Sequence, residues 1–210
     1  MKPALPDPLP AKSFFATWFS HFSYNYLILP FLYIGLRLAA FFNAKIRRGI
    51  AGRKHLFERL EKKLRPFTSR ESTILIHAAS MGEYEQARPV IRELRRRFPE
   101  LCIVASVFSP SAYDHIHDRS EADVLTYLPV DFRHQVRRFL DRVQPMALLV
   151  IRHDLWPNLL WEAQRRGIYT MLLDASVHRG SLRHRKLVRY FYRQVFAAFS
   201  AVCAISETEL

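Results

Sequence analysis

An α/β fold built on a parallel sheet is the class this sequence predicts, and three observations predict it. Six short apolar runs recur along residues 73–205, most without polar alternation, as expected of parallel strands covered on both faces. The stretches between them carry apolar residues at helical spacing, so strand and helix alternate. Ahead of this repeat lies a different kind of segment, a long apolar and aromatic run followed by a basic block, which reads as an N-terminal membrane-anchor helix and its flank.

The elements follow in order. A Pro-rich leader, Pro3–Pro10, precedes a group of aromatic, interface-seeking side chains: Phe14, Phe15, Trp18, Phe19 and Phe22. From Tyr26 to Phe42 only Pro30, Gly35 and Arg37 interrupt the apolar run. A bilayer span needs about 20 apolar residues, so this run is slightly short, and Arg37 must snorkel to the headgroups. A transmembrane helix and a helix lying in the interface both fit, and a soluble core helix is the plainer alternative. No basic cluster opens the leader and no small-residue cleavage site follows, which argues against a signal peptide. Between residues 45 and 65 nine basic side chains face only Glu58 and Glu61. Such a block beside an apolar helix marks the cytoplasmic side and grips anionic headgroups. Arg37, Lys45, Arg47, Arg48, Arg53 and Lys54 are the residues expected to do so. Standing alone, the block would read as a solvated helix face.

The predicted strands are Thr73–His77, Leu101–Val107, Val124–Tyr127, Ala147–Ile151, Tyr169–Leu173 and Ala201–Ile205. Helices are expected around Ala87–Phe98, Val136–Val143, Leu159–Ala163 and Leu187–Val195, with Gly167 stopping the third. The implied organisation is a leader and anchor over 1–44, a basic juxtamembrane linker over 45–70, and a domain over 71–210.

Composition narrows the function. The 210 residues carry a formal charge of +13, which points to a polyanionic partner: nucleic acid, anionic lipid or a phosphorylated substrate. Cys102 and Cys203 both fall in runs expected to be buried, without metal-ligand spacing, in keeping with a reducing cytoplasmic setting. His115 and His117 have no acidic or thiol partners at metal-binding spacing, so no metal is expected. Six glycines with no GxGxxG or P-loop spacing argue against dinucleotide or ATP binding, and no cofactor is expected.

Four motifs follow strands and would share one edge of a parallel sheet. In His77-Ala-Ala-Ser-Met-Gly-Glu83, Ser80 and Glu83 have the spacing of a capping box. The same geometry offers an ionised carboxylate at a helix N-terminus, able to accept a proton, beside a Gly82 that lets a substrate close to the backbone. Spacing alone leaves both roles open. Phe108–Tyr113 offers the hydroxyls of Ser109 and Ser111 for an anion. Tyr127-Leu-Pro-Val-Asp131 is a turn into a helix. In Arg152-His-Asp-Leu-Trp-Pro-Asn158, Asp154 is placed to cap the next helix and Pro157 suits its first turn.

The order of these motifs resembles that of the Kdo transferases. His77–Glu83, Ser109–Ala112, Tyr127–Asp131, Asp154–Asn158 and Asp174-Ala-Ser176 match that family's segments in sequence, Phe42–Leu60 resembles its basic linker, and Ala204–Glu207 resembles its interdomain passage. Arg152 and Asp174 depart from it, standing where the family usually has an acid and an asparagine. The resemblance implies a GT-B glycosyltransferase with two Rossmann-like domains, this chain being the N-terminal, acceptor-binding half. It implies inverting transfer of Kdo from CMP-Kdo to a lipid A precursor in lipopolysaccharide biosynthesis, at the cytoplasmic face of the bacterial inner membrane. By resemblance Glu83 is the general base, and Ser80, Gly82, Ser109, Ser111, Asp154, Asn158 and Arg179 bind substrate. The donor CMP-Kdo is held mainly by a C-terminal domain outside this sequence, so the isolated chain is expected to be inactive. Two other readings stand beside it. One is a non-catalytic, membrane-associated domain that binds anionic lipid. The other is a nucleic-acid-binding module, supported by charge alone; no RRM, KH, helix-turn-helix or zinc-finger signature is present, and nucleic acid is not the expected partner.

Overall fold

The structure, a computed structural model, describes residues 14–67, 72–152, 154–175 and 186–204. The Pro-rich leader, His153 and Arg179 lie outside them. One continuous helix opens the described chain: α1 (Phe14–Ser23), a π-helical turn over Tyr24–Ile28, and α2 (Leu29–Phe42). Pro30 explains the π turn. It has no N–H to give and its ring crowds the preceding turn, so the helix widens there to keep its other hydrogen bonds. Asn43 breaks the helix with an extended backbone and caps α3 (Ala44–Gly52), accepting from the N–H groups of Lys45 and Ile46.

The sheet strands are β1 (Thr73–His77), β2 (Cys102–Val107), β3 (Val124–Tyr127), β4 (Ala147–Ile151), β5 (Tyr169–Ala175) and β6 (Ala201–Ala204). All pair in parallel, in the order β3-β2-β1-β4-β5-β6. The crossovers are α5 (Met81–Arg97), α6 (Pro110–Ile116), α7 (Arg133–Val143), α8 (Pro157–Arg165) and α9 (Lys186–Phe196). This is the predicted Rossmann-like class, and the predicted strands are found within two residues at each end.

Two apolar layers sandwich the sheet. Ile74, Ile76, Ile103 and Leu149 point to one face and meet Tyr84, Ala87 and Ile91 of α5. Leu75, Val104, Leu148 and Val150 point to the other and meet Val136, Phe139, Leu140 and Val143 of α7, with Leu159 and Leu160 of α8. The stretch read as a basic linker is folded into that second layer. After α3 it forms α4 (Leu56–Leu64), whose Leu56, Leu60 and Leu64 are buried. Their spacing gives α4 an apolar stripe, while Glu58, Arg59, Glu61 and Lys62 stay outside. Tyr24 and Leu29 of the N-terminal helix belong to the same layer. Cys102 is buried as expected, but Cys203 is exposed, because β6 is the end strand of the described sheet.

Candidate functional site

The strand order reverses between β1 and β4, and open α/β sheets bind ligands outside the carboxyl ends of the strands at such a reversal. All four sequence motifs lie at this edge. Backbone bonds tie their loops together: the N–H groups of Phe108 and Ser109 both donate to Ala79 O, and Leu128 N–H donates to Val107 O.

Ser80 and Glu83 form the reciprocal capping box of α5. Ser80 N–H donates to Glu83 Oε2 at 3.0 Å and Glu83 N–H to Ser80 Oγ at 3.4 Å. The cap engages one carboxylate oxygen and leaves Glu83 half-exposed, so capping and proton acceptance are compatible. Gly82 is exposed, has no positive φ, and a Cβ added there meets nothing within 4 Å. Neither packing nor backbone conformation among the described residues requires a glycine at this point. Its effect is to keep the first turn of α5 open to close approach from outside.

His77, fully buried at the end of β1, anchors a polar cluster across the reversal. Its Nε2 lies 3.1 Å from Asp154 Oδ2, and its Nδ1 lies 3.0 Å from the Ser106 hydroxyl. Nδ1 also lies 3.1 Å from Ser106 O, and Trp156 Nε1–H lies 3.1 Å from Nε2, so each ring nitrogen faces both a donor and an acceptor and either neutral tautomer finds partners. Trp156 Nε1–H donates to the same Asp154 oxygen at 2.7 Å. The Trp156 ring packs on Phe108 with centroids 4.6 Å apart. Asp154 is therefore a half-exposed carboxylate held between His77 and Trp156, not the cap of α8 that its position suggested. Ser106 and Trp156 were not singled out from the sequence as site residues; only the fold brings them to His77.

The cap of α8 is Asp131, from the turn after β3. Its carboxylate accepts from Asn158 N–H at 2.8 Å, from Leu159 N–H at 3.0 Å and from Tyr24 O–H at 2.8 Å. Asp131 is buried, and burial pushes its pKa up to about 7, although the Asn158 N–H, the Tyr24 hydroxyl and the Leu159 N–H pull it down. Asn158, expected to touch substrate, is buried instead. Its amide pairs reciprocally with Asn25 and donates to Asp131 O. It joins the N-terminal helix to the edge.

Ser109 and Ser111 are half-buried and bonded to each other at 3.0 Å. Arg152 and Asp174, at the ends of β4 and β5, form an ion pair at 3.1 Å, and both hold left-handed backbone, with φ of 63° and 57°. Such strain in residues with side chains collects at functional edges.

The six basic residues expected at headgroups separate. Arg53 turns inward. It donates to Gly49 O, Leu128 O and Phe108 O at 2.8–2.9 Å and stacks on Phe108, and burial lowers its pKa to about 10. Arg48 pairs with Asp114 at 3.6 Å. Lys45 and Lys54, with Tyr33, Leu36, Ile46 and Ser109 among others, line a cleft of about 470 Å³ between the N-terminal helices and the loop after β2. Arg37, Arg47 and Lys54 line a second one beside it. Among the described residues no group of three or more His, Cys, Asp or Glu can hold a metal ion.

Comparison with known proteins bears on this edge. A family model described as 3-deoxy-D-manno-octulosonic-acid transferase (kdotransferase) matches residues 54–210. The 3-deoxy-D-manno-octulosonic acid transferase of Haemophilus influenzae is 30% identical over 132 residues, covering 62% of this chain and 31% of that protein. That of Aquifex aeolicus is 34% identical over 91 residues, 43% of this chain and 25% of its own length. A probable mitochondrial 3-deoxy-D-manno-octulosonic acid transferase of Arabidopsis thaliana is 33% identical over 113 residues, 53% of this chain and 25% of its own. The matches span about a third or less of these relatives.

Proposed function

This chain belongs to the 3-deoxy-D-manno-octulosonic acid (Kdo) transferase family, and from that premise we propose that it forms the acceptor-binding part of an inverting glycosyltransferase. In this reading Kdo passes from CMP-Kdo to a lipid A precursor, as a step of lipopolysaccharide synthesis at the cytoplasmic face of the inner membrane. The observation that carries it is the position of Glu83: a half-exposed carboxylate at the strand reversal, on an open helix turn, inside the segment that matches the family.

Glu83 accepts the proton of the attacking acceptor hydroxyl. The hydroxyl oxygen forms a bond to the anomeric carbon of Kdo from the face opposite the leaving group. The bond from that carbon to the phosphate oxygen of CMP breaks, and its electron pair leaves with CMP. The donor is held chiefly by a second Rossmann-like domain. The cleft lined by Lys45, Lys54, Tyr33 and Leu36 opens near Ser109 on the same side and combines cationic with apolar walls, the chemistry a phosphorylated lipid acceptor presents.

The N-terminal helix supplies the membrane contact. Its stripe of Ser20, His21, Tyr24, Asn25, Leu29 and Tyr33 faces the protein, while Tyr26, Leu27, Phe31, Leu32, Ile34, Leu38 and Phe41 stay exposed. The 25 residues Trp18–Phe42 are long and apolar enough to cross a bilayer, at about 37 Å. A helix docked along one side and apolar along the other fits better lying in the interface, domain above and acyl chains below. The test is binding and transfer together. The protein should bind diphosphorylated lipid A precursor more tightly than DNA at physiological salt, and in its full-length context release CMP from CMP-Kdo only when that precursor is present. Preference for DNA, or CMP release unchanged by the precursor, would overturn the reading.

A further inference from the structure

The elbow between α2 and α3 carries a second basic cleft, beside the one assigned to the acceptor. A cleft of about 300 Å³ is lined by Arg37, Ala40, Phe41, Arg47, Ile50, Ala51 and Lys54. Three of these seven side chains are cationic and none is acidic. Arg37, Arg47 and Lys54 are all exposed, and no carboxylate partner is recorded for any of them among the described residues. Arg47 Nη1 donates to Ala40 O at 3.4 Å, which holds its guanidinium at the end of α2. Three like charges around one small cleft repel one another, and an anion in the cleft relieves that repulsion. This differs from the other basic surfaces. On α5, Arg88, Arg92 and Arg95 already have Glu85, Glu121 and Asp123 as partners.

The apolar surroundings identify the anion's carrier. Phe41 of the cleft wall and its neighbours on α2, Leu38 and Phe42, are 76%, 58% and 94% exposed. A free phosphate has no use for them; a phosphate attached to acyl chains buries them. Arg37 sits one turn before the end of the apolar helix, the level at which a basic side chain reaches from the interface to headgroups. We propose that this elbow binds the phosphate of an anionic bilayer phospholipid, with Arg37, Arg47 and Lys54 around the phosphate and Phe41 and Leu38 against the acyl chains. The site adjoins the acceptor cleft, with which it shares Ile50 and Lys54, and adds Arg37 and Arg47 on the far side of them. It rests on the interfacial reading of the helix and fixes that helix's end and rotation at the membrane surface.

The experiment uses short-chain dioctanoyl phosphatidylglycerol, dioctanoyl phosphatidylcholine and inorganic phosphate, each titrated against the full chain in non-ionic detergent. Saturable binding of the phosphatidylglycerol is expected, at least tenfold tighter than that of the phosphatidylcholine, with inorganic phosphate not competing at equal concentration. The triple variant Arg37→Gln, Arg47→Gln, Lys54→Gln should lose tenfold or more. A control with the same charge change elsewhere, Lys62→Gln, Arg65→Gln, Arg119→Gln, should lose less than twofold, both variants melting as the parent does. Equal affinity for the two lipids, displacement by inorganic phosphate, or equal losses in the two variants would overturn the proposal. Uptake of the parent chain by neutral phosphatidylcholine vesicles is read separately. If that fails, the membrane reading itself is wrong, whatever the short-chain lipids do.

Discussion

At the scale of single residues, Glu83 caps α5 and, as we propose, accepts the acceptor's proton; substitutions separate the two. Glutamine keeps the capping geometry, since a capping box accepts Glu or Gln at the third helical position, but it cannot take up a proton. Glu83→Gln should therefore leave the melting temperature within about a degree or two and lower kcat in the full-length transferase by about 10²–10⁴-fold. Turnover within a few-fold of the parent would remove Glu83 from the chemistry. Ser80→Ala does the reverse: it removes the cap of the Glu83 N–H and should cost about 1 kcal/mol of stability in denaturant unfolding. The cap was visible from the sequence because its two partners, Ser80 and Glu83, stand three positions apart. Asp154 was only half visible. Its place beside the helix suggested a cap, whereas it bonds Trp156, two residues on, and His77, which meets it only when β1 and β4 lie side by side. Asn158 was misjudged for the same reason, its partners being Asn25 and Asp131.

Whole elements are held by a few polar contacts that bridge distant parts of the chain. Asp131 caps α8 from the turn after β3, and its raised pKa sets a pH dependence. A carboxyl whose pKa goes from 3.8 unfolded to about 7 folded binds its proton more tightly in the fold. The stability it contributes is complete below about pH 4 and lost as pH rises through 7, on the order of 4 kcal/mol in all. Urea unfolding at pH 5 and pH 8 should show this loss, and Asp131→Asn, though less stable at pH 5, should flatten it. An unchanged slope in that variant would assign the dependence to another group. Arg53 and Lys54 illustrate how neighbours in one basic block diverge. Arg53→Lys cannot reach three carbonyls from one point charge and should lose about 2–4 kcal/mol, whereas Lys54→Gln should leave unfolding unchanged. Gly52→Ala tests the same corner: its Cβ would fall 2.7–2.9 Å from the Tyr127 side chain, whose ring also stacks with Tyr113 at 4.3 Å. Overpacking of this kind costs about 1–3 kcal/mol. The strands were legible because a buried parallel strand needs only a local apolar run. The block over residues 45–65 was not, because charge dominates its composition while three leucines on one face of α4 decide its place.

At the scale of the molecule, the N-terminal helix is both part of the fold and its exposed apolar surface. The sequence shows the apolar run but not its rotation. Tyr24, buried between Asp131, Trp161 and Phe191, determines which stripe faces inward. His21 stacks on Trp161 at 3.7 Å and Asn25 pairs with Asn158, so these contacts run over just more than one turn, and the buried Leu29 continues them for another. A detachable anchor would leave a stable domain behind when residues 1–43 are removed. This helix should not. Its removal uncovers Trp161 and takes from Asp131 its hydroxyl donor, leaving a buried carboxylate with less compensation. The truncated protein should therefore unfold at a markedly lower denaturant midpoint than the whole chain, by about 2 kcal/mol or more, even in the absence of any membrane. Tyr24→Phe isolates the polar part of that loss. It keeps the ring in place, leaves the apolar face outside untouched, and should cost about 1–2 kcal/mol while vesicle uptake stays the same. Exchanging Phe31, Leu32 and Leu38 for serine should act oppositely, abolishing uptake with little change in unfolding. If truncation leaves the midpoint where it was, the helix is an anchor alone and its docking against Asp131 contributes nothing to the fold.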